Sequence, residues 1–285
     1  MGFTLEKKIT IFAPEVESRK SFSDIADFHI IGRLDVSKIQ KFNYLFIETS
    51  ASRLPEIADI IKVANEHKYL RALFIRTDID AKLLPQMLQR ADLRVIRNIL
   101  VHSDFDWITP IRVLNAWKMG SEHDLIAAAA VFNARLYVLN CAFEKFEVAF
   151  SDLPVLKKIH PSELVSFEID KAGSFLHWPK QDIHVDIDDL RYFTDEKWRL
   201  KIDQDRLIYD TKFGAAIMTL REEMGVKQKD IAGLTSRQLR RIEKGEARPR
   251  IETFSLIAKG HKMSLDEYLE HIGNNMRKLN TENDG

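Results

Sequence analysis

A chain of 285 residues with 45% hydrophobic content can bury substantial cores, and its length favours two or three domains over one. Lys+Arg and Asp+Glu number 43 each, so the formal net charge is zero, and this composition excludes a largely disordered chain. The single cysteine, Cys141, excludes an intramolecular disulfide and by itself makes no structural zinc site, so an inert thiol in a buried strand is expected.

The first residues lack the apolar stretch of a secretory signal, and Leu5 and Glu6 do not supply the Ser or Thr of a myristoylation signal. No run reaches the roughly 18 apolar residues of a membrane span. A cytoplasmic protein without a membrane partner is expected.

Residues 43–49 (NYLFIET), 71–76 (RALFIR) and 94–101 (RVIRNILV) read as strands, being rich in β-branched and aromatic residues. Between them, 54–67 and 82–91 space apolar residues as helices do, so strand and helix alternate. This predicts an open α/β sheet with helices on its faces, within an α/β domain of unknown role over 1–118.

After a helix-like stretch at 109–119 the pattern changes. Residues 124–132, 134–143 and 145–150 read as an antiparallel meander, and 163–179 as two further short strands around Lys171-Ala172-Gly173. A small mixed or antiparallel α+β domain is expected over 119–194. Residues 195–213 read as a linker or connecting helix, with Trp198, Leu200, Ile202, Leu207 and Ile208 available to pack it.

The neutral total conceals an uneven distribution. Residues 214–262 carry eleven Lys or Arg against six Asp or Glu, a net of +5, whereas 1–213 come to −2 and 263–285 to −3. Charge able to meet a phosphate backbone is therefore concentrated near the carboxyl end.

From Gly214 the periodicity is helical and punctuated by glycine. Residues 214–225 place Ile217, Leu220 and Met224 on one face and stop at Gly225; KQKDIA forms a short second helix before Gly233. The next helix, 234–245, has Thr235 as N-cap, turns Leu239 and Ile242 inward and spreads Arg237, Gln238, Arg240 and Arg241 over its other faces. Pro249 suits the first turn of a fourth helix, and Ser264 to Glu267 form a capping box for a fifth. The five-helix all-α domain is expected over 214–273, with 274–285 as a tail.

This run resembles the lambda-repressor/Cro-like, or xenobiotic-response-element, helix-turn-helix family. The resemblance rests on Leu220-Arg221-Glu222, on Gln228 and Ala232, on Thr235 to Ile242, and on Glu243-Lys244-Gly245 with Pro249. It implies that Gln228 contacts a phosphate and supports a base-reading side chain. It places Ser236, Arg237, Gln238 and Arg240 toward the groove, beside the cap residue Thr235, and gives Arg241 a backbone contact or a local supporting role. Glu243 then ties the recognition helix to the first helix through Arg221, with Ala232, Leu239 and Ile242 as structural support. Two departures stand out: Gly233 alone separates Ala232 from Leu234, which clips the second helix, and Lys227 stands where a Ser or Thr cap is common. The basic side chains Lys227, Lys229, Arg241, Lys244 and Arg248 are placed to supply phosphate attraction.

The segment 134–190 resembles a small bacterial domain family of unknown function, through Leu136-Tyr137-Val138, FEVAF at 146–150, Asp152-Leu153-Pro154, Gly173, and His177-Trp178-Pro179 followed by Asp182 and Leu190. Trp178 is expected to close one edge of a small core.

Two acidic-histidine runs, His102/Asp104/Asp106 and His184/Asp186/Asp188, offer oxygen and nitrogen donors but are equally explained as polar loops or a half-solvated strand. No phosphate loop, zinc helix or nucleophile elbow is present. No catalytic residue, metal or cofactor is assigned.

The expected function is a dimeric, sequence-specific DNA-binding transcriptional regulator of repressor type, with double-stranded DNA as partner and upstream domains that sense a protein or small-molecule effector or hold the dimer. Two alternatives remain open: an antitoxin-like or protein-interaction module with secondary DNA binding, and an enzyme with an appended DNA-targeting domain.

Overall fold

The computed structural model describes residues 8–25, 27–93 and 96–281. The chain divides into two compact units, Met1–Thr194 and Asp195–Gly285.

The first unit opens with five parallel strands, β1 (Thr10–Phe12), β2 (His29–Ile31), β3 (Leu45–Ser50), β4 (Leu70–Thr77) and β5 (Ile99–Ser103), in the order β2-β1-β3-β4-β5. Strand β1 lies inside the sheet and the chain leaves it first to one side and then to the other, the arrangement of a doubly wound sheet. The helices are α1 (Val16–Ile25), α2 (Ala58–Glu66), α3 (Leu84–Arg90) and α4 (Ile108–Met119). Both sheet faces are covered, so the strands are near-continuous hydrophobic runs. Phe12, Leu45, Ile47, Leu73 and Ile75 pack with Ile61 and Ala64 of α2 on one face. Their neighbours Ile11, Phe46, Ala72, Phe74 and Leu100 pack with Phe22 of α1 and Leu114 of α4 on the other.

Two boundaries differ from expectation. The helix predicted from residue 54 begins as a 3-10 turn, Ala51–Ile57, with Pro55 inside it, and becomes α-helical only at Ala58, since proline removes a backbone donor. The strand predicted over 94–101 starts at Ile99, where pairing with Leu73 begins; residues 94 and 95 lie outside the described residues.

The meander is β6 (Ile126–Phe132), β7 (Arg135–Asn140) and β8 (Lys145–Ala149), antiparallel throughout. Asn133 and Ala134 both take positive φ at the first turn, as a two-residue hairpin with right-twisted strands requires. A second antiparallel sheet orders β9 (Glu168–Ile169), β10 (Leu176–Trp178) and β11 (Ile183–Val185), and α5 (Ile187–Thr194) follows. Trp178 is fully buried and its indole N–H donates to the Leu164 carbonyl at 3.1 Å. Ala127, Cys141 and Phe143 join the same hydrophobic cluster as Phe46 and Leu114, so the segments expected as separate domains, 1–118 and 119–194, form one compact unit. Cys141 lies just beyond β7, and burial pushes its thiol up to about 12.

The second unit is all α. Its helices are α6 (Glu196–Glu223), α7 (Ser236–Glu243), α8 (Ile251–Gly260) and α9 (Leu265–Thr281). The segment 195–213, expected as a linker or connecting helix, supplies the N-cap and the amino-terminal part of α6, with the Asp195 carboxylate accepting from the Lys197 and Trp198 amides. The predicted second helix is a 3-10 turn, Gln228–Asp230. Ala216, Ile217, Leu220, Ile231, Leu239, Ile242, Ile257, Ala258, Tyr268 and Ile272 form one core. Helix α9 runs through the expected tail as far as Thr281, because Ile272, Asn275 and Met276 continue its inward face. Among the described residues no helix is long and apolar enough to cross a membrane.

Candidate nucleic-acid interface

Helix α6 ends where Gly225 turns left-handed at φ +65°, which lets the Val226 amide reach back to the Arg221 carbonyl at 3.0 Å. Met224, predicted to face inward with Ile217 and Leu220, is exposed because this turn carries it past the core. The short 3-10 turn then delivers Ile231 to the core against Gly260. Ala232, expected as the supporting residue here, is exposed; the clipped turn ends one position early and gives its packing role to Ile231.

Thr235 caps α7 in a reciprocal box. Its Oγ1 accepts from the Gln238 amide at 3.2 Å, while Gln238 Oε1 accepts from the Thr235 amide at 2.9 Å and its hydroxyl at 2.8 Å. At about 100° per residue, Leu239, Ile242 and Glu243 share the buried side of α7, and Arg237, Arg240, Arg241 and Lys244 fall on the opposite side, all exposed. Ser236 and Gln238 flank that stripe.

Among the described residues no acidic group lies within ion-pair distance of Arg237, Arg240, Lys227 or Lys229, all of which are exposed. Arg241 and Lys244 approach Glu246 only at 3.9 and 4.0 Å. Arg248 differs, because its Nε donates to both Asp210 carboxylate oxygens of α6, at 2.8 and 2.9 Å.

The stripe is held by a buried acid. Arg221 donates from Nε to Glu243 Oε1 at 2.5 Å and from Nη2 to Oε2 at 3.3 Å, and its Nη1 donates to the Val226 carbonyl at 3.0 Å. Hydrogen bonding to Glu243 holds the Arg221 guanidinium above its ordinary value. The Gln228 amide also donates to Glu243 Oε2, at 2.6 Å, so this half-buried side chain braces the turn against α7. Pro249 precedes the Arg250 cap of α8 instead of entering its first turn.

A helix, a tight turn and an exposed basic helix share one core. Residues 217–268 match the helix-turn-helix family. Residues 137–194 match a second family, described as a protein of unknown function (DUF2442). No curated protein and no solved structure matches the chain. The helix-turn-helix match coincides with the core of the second unit and includes every residue of the basic stripe.

The two acidic-histidine runs come apart in three dimensions. His102 is buried at the end of β5, with Nδ1 against the Ser103 carbonyl and Nε2 3.9 Å from Glu48. Asp104 pairs with Arg76 at 2.9 Å, and Asp106 accepts the amide and hydroxyl of Thr109 in the first turn of α4. In the other run, Asp186 accepts from the Asp189 amide at the start of α5 and Asp188 pairs with Arg191, while His184 turns to His177 on the neighbouring strand.

Sequence reasoning missed Glu15, Glu48 and Arg76, which meet His102 and Asp104 at the carboxyl edge of the parallel sheet. Glu15 accepts from Arg76 and from the amide and hydroxyl of Ser50. A charged residue within an otherwise apolar strand, Glu48 in LFIETS and Arg76 in LRALFIRT, was the available signal.

Proposed function

We propose that the chain is a sequence-specific, double-stranded DNA-binding transcriptional regulator whose helix-turn-helix is of the lambda-repressor/Cro type and which acts as a homodimer. One observation carries the reading: α7 sets four basic side chains in a single exposed stripe opposite its buried face, with Arg237 and Arg240 free of acidic neighbours among the described residues. A helix of this kind enters the major groove, where arginine pairs with guanine edges and flanking cations neutralise phosphates.

Lys227, Lys229, Arg241 and Lys244 supply the salt-dependent attraction. Arg248 joins them on exchanging Asp210 for a phosphate. Leu200, Leu207 and Ile208, exposed along the amino-terminal half of α6, offer an apolar helical surface that a second copy would cover, as a palindromic site requires. The first unit then serves as sensor or oligomerisation module, in the cytoplasm where the DNA lies, and no reaction is assigned to the chain.

Selection of binding sites from random duplex DNA, followed by affinity measurements at several salt concentrations, tests this. Enrichment of one palindromic motif with a steep salt dependence is the expected result. Equal affinity for selected and random duplexes would refute sequence-specific binding.

A further inference from the structure

Strands β10 and β11 pair so that His177 stands directly opposite His184 on the face away from the buried Leu176, Trp178 and Val185. The two imidazole rings lie parallel, 2° from coplanar orientation, with centroids 4.3 Å apart, and Phe175 meets the His184 ring edge-on at 4.6 Å. In the connection between the strands Asp182 adopts φ +50°, which swings its carboxylate back over the hairpin until Oδ1 is 3.5 Å from His177 Nε2. One donor atom from each of the three residues lies within 4.8 Å of the other two.

The nitrogen at the centre of this group is short of a partner. His177 Nε2 is screened from solvent and makes no hydrogen bond, although a carboxylate oxygen faces it. A shielded ring nitrogen left without a hydrogen bond is destabilising, which favours a ligand that satisfies it. Two imidazoles and one carboxylate form a donor set for zinc, cobalt, nickel or copper ions, whereas magnesium and calcium take oxygen ligands. Metal–nitrogen and metal–oxygen bonds of about 2.0–2.2 Å put tetrahedral ligand atoms roughly 3.4 Å apart. The His177–Asp182 distance already meets that spacing, and rotation of exposed His184 brings in the third donor.

We propose that His177, Asp182 and His184 bind a divalent late first-row transition-metal ion, with three protein ligands and a coordination position left for water or an exogenous ligand. The hairpin is a fitting platform. Trp178, next to His177 in β10 and turned to the opposite face, is anchored by its buried ring and its bond to Leu164, and the strand ladder fixes both imidazoles on one face. The site is independent of the DNA-binding reading, because every ligand lies in the first unit.

The test uses the full-length chain stripped of metal and titrated with Zn2+ or Co2+ alone, read by calorimetry and by the visible absorption of bound Co2+. One equivalent is expected to bind, with His177→Ala and His184→Ala each weakening uptake about tenfold or more. Asp182→Asn, which tolerates the same left-handed backbone, is expected to weaken binding with the melting temperature unchanged. His160→Ala and His271→Ala serve as controls and keep the full affinity. Uptake that survives loss of both imidazoles, or an intact chain that binds no more metal than the His177→Ala/His184→Ala double variant, overturns the proposal.

Discussion

Gly214 in α6 lies so close to the end of α7 that a Cβ placed on it would sit 2.5 Å from the Ile242 carbonyl oxygen and 2.6 Å from that of Glu243. From the other side Gly245, left-handed at φ +72°, would press a Cβ to 2.7 Å from the backbone of Asp210 and Thr211. The two glycines let α7 rest its carboxyl end directly on the α6 backbone. Alanine at 214 gains about 1 kcal/mol in helix propensity but collides with backbone that has no side chain to move aside. A net loss of about 2 kcal/mol in the stability of the helical unit is expected for Gly214→Ala, measured by denaturant unfolding. Unchanged or increased stability would mean that α6 and α7 do not touch there.

Glu243 is held by Arg221 and Gln228 with its side chain almost fully buried. Arg221→Met leaves that carboxylate without its main counter-charge, a change that costs about 3 kcal/mol or more. Glu243→Gln keeps an acceptor oxygen for the guanidinium and is expected to cost less than Arg221→Met, while the double change Arg221→Met/Glu243→Leu recovers part of the loss. A double-mutant cycle on unfolding free energies checks this ordering.

The module was readable in sequence because its signals are local. Thr235 and Gln238, like Ser264 and Glu267, stand three residues apart, and the glycines at 225 and 245 each mark a helix end on their own. The apolar and basic positions of α7 follow one 3.6-residue period. Other relationships were set at long range. His184 was grouped with Asp186 and Asp188 by proximity along the chain, whereas its neighbour His177 is chosen by strand register across a hairpin. Strands β1 and β2, three residues each, were too short to show periodicity, and the Glu15, Glu48, Arg76 and His102 cluster exists only once parallel strands align their carboxyl ends.

Gln238 Oε1 is engaged twice by Thr235, so Gln238 presents only its amide N–H groups outward unless the cap opens. This disfavours the two-point contact with adenine that a free glutamine makes, since that contact needs the oxygen as well. Gln238→Glu retains the capping box and removes the donors. Its melting temperature is expected to stay close to that of the parent while affinity for a selected DNA site drops; equal affinity would place Gln238 outside the contact surface.

Arg237 and Lys244 lie on the same stripe but at different ends of α7, and their losses are expected to differ in kind. Arg237→Ala is expected to cost about 1–3 kcal/mol on the preferred site and little on random DNA, because a base-edge contact discriminates. Lys244→Ala is expected to weaken all duplexes about equally and to reduce the log–log salt slope by about 0.9 for the lost phosphate. Binding isotherms on selected and random duplexes over a salt series separate the two.

Glu48 sits fully buried on β3, facing Arg76 at 3.4 Å and His102 Nε2 at 3.9 Å, with Glu15 and Ser18 also close. Burial raises its carboxyl from 4.5 to about 7, against the opposing pull of Ser18 and Arg76. Between those two pH values the folded chain holds a proton that the unfolded chain has released, so the stability due to Glu48 is full below pH 4.5 and falls as pH rises toward 7. At about 1.4 kcal/mol per pH unit the total change is about 3 kcal/mol. His102 acts in the opposite sense, since burial lowers its value from 6.5 and stability is lost as pH falls below that point. Comparing Glu48→Gln with the parent at each pH isolates the pH dependence that involves Glu48, its coupling to His102 included. The variant's advantage in unfolding free energy is expected to grow by about 3 kcal/mol between pH 4.5 and pH 8. A difference that is flat across that range would show that Glu48 remains ionised in the folded protein, paired with Arg76.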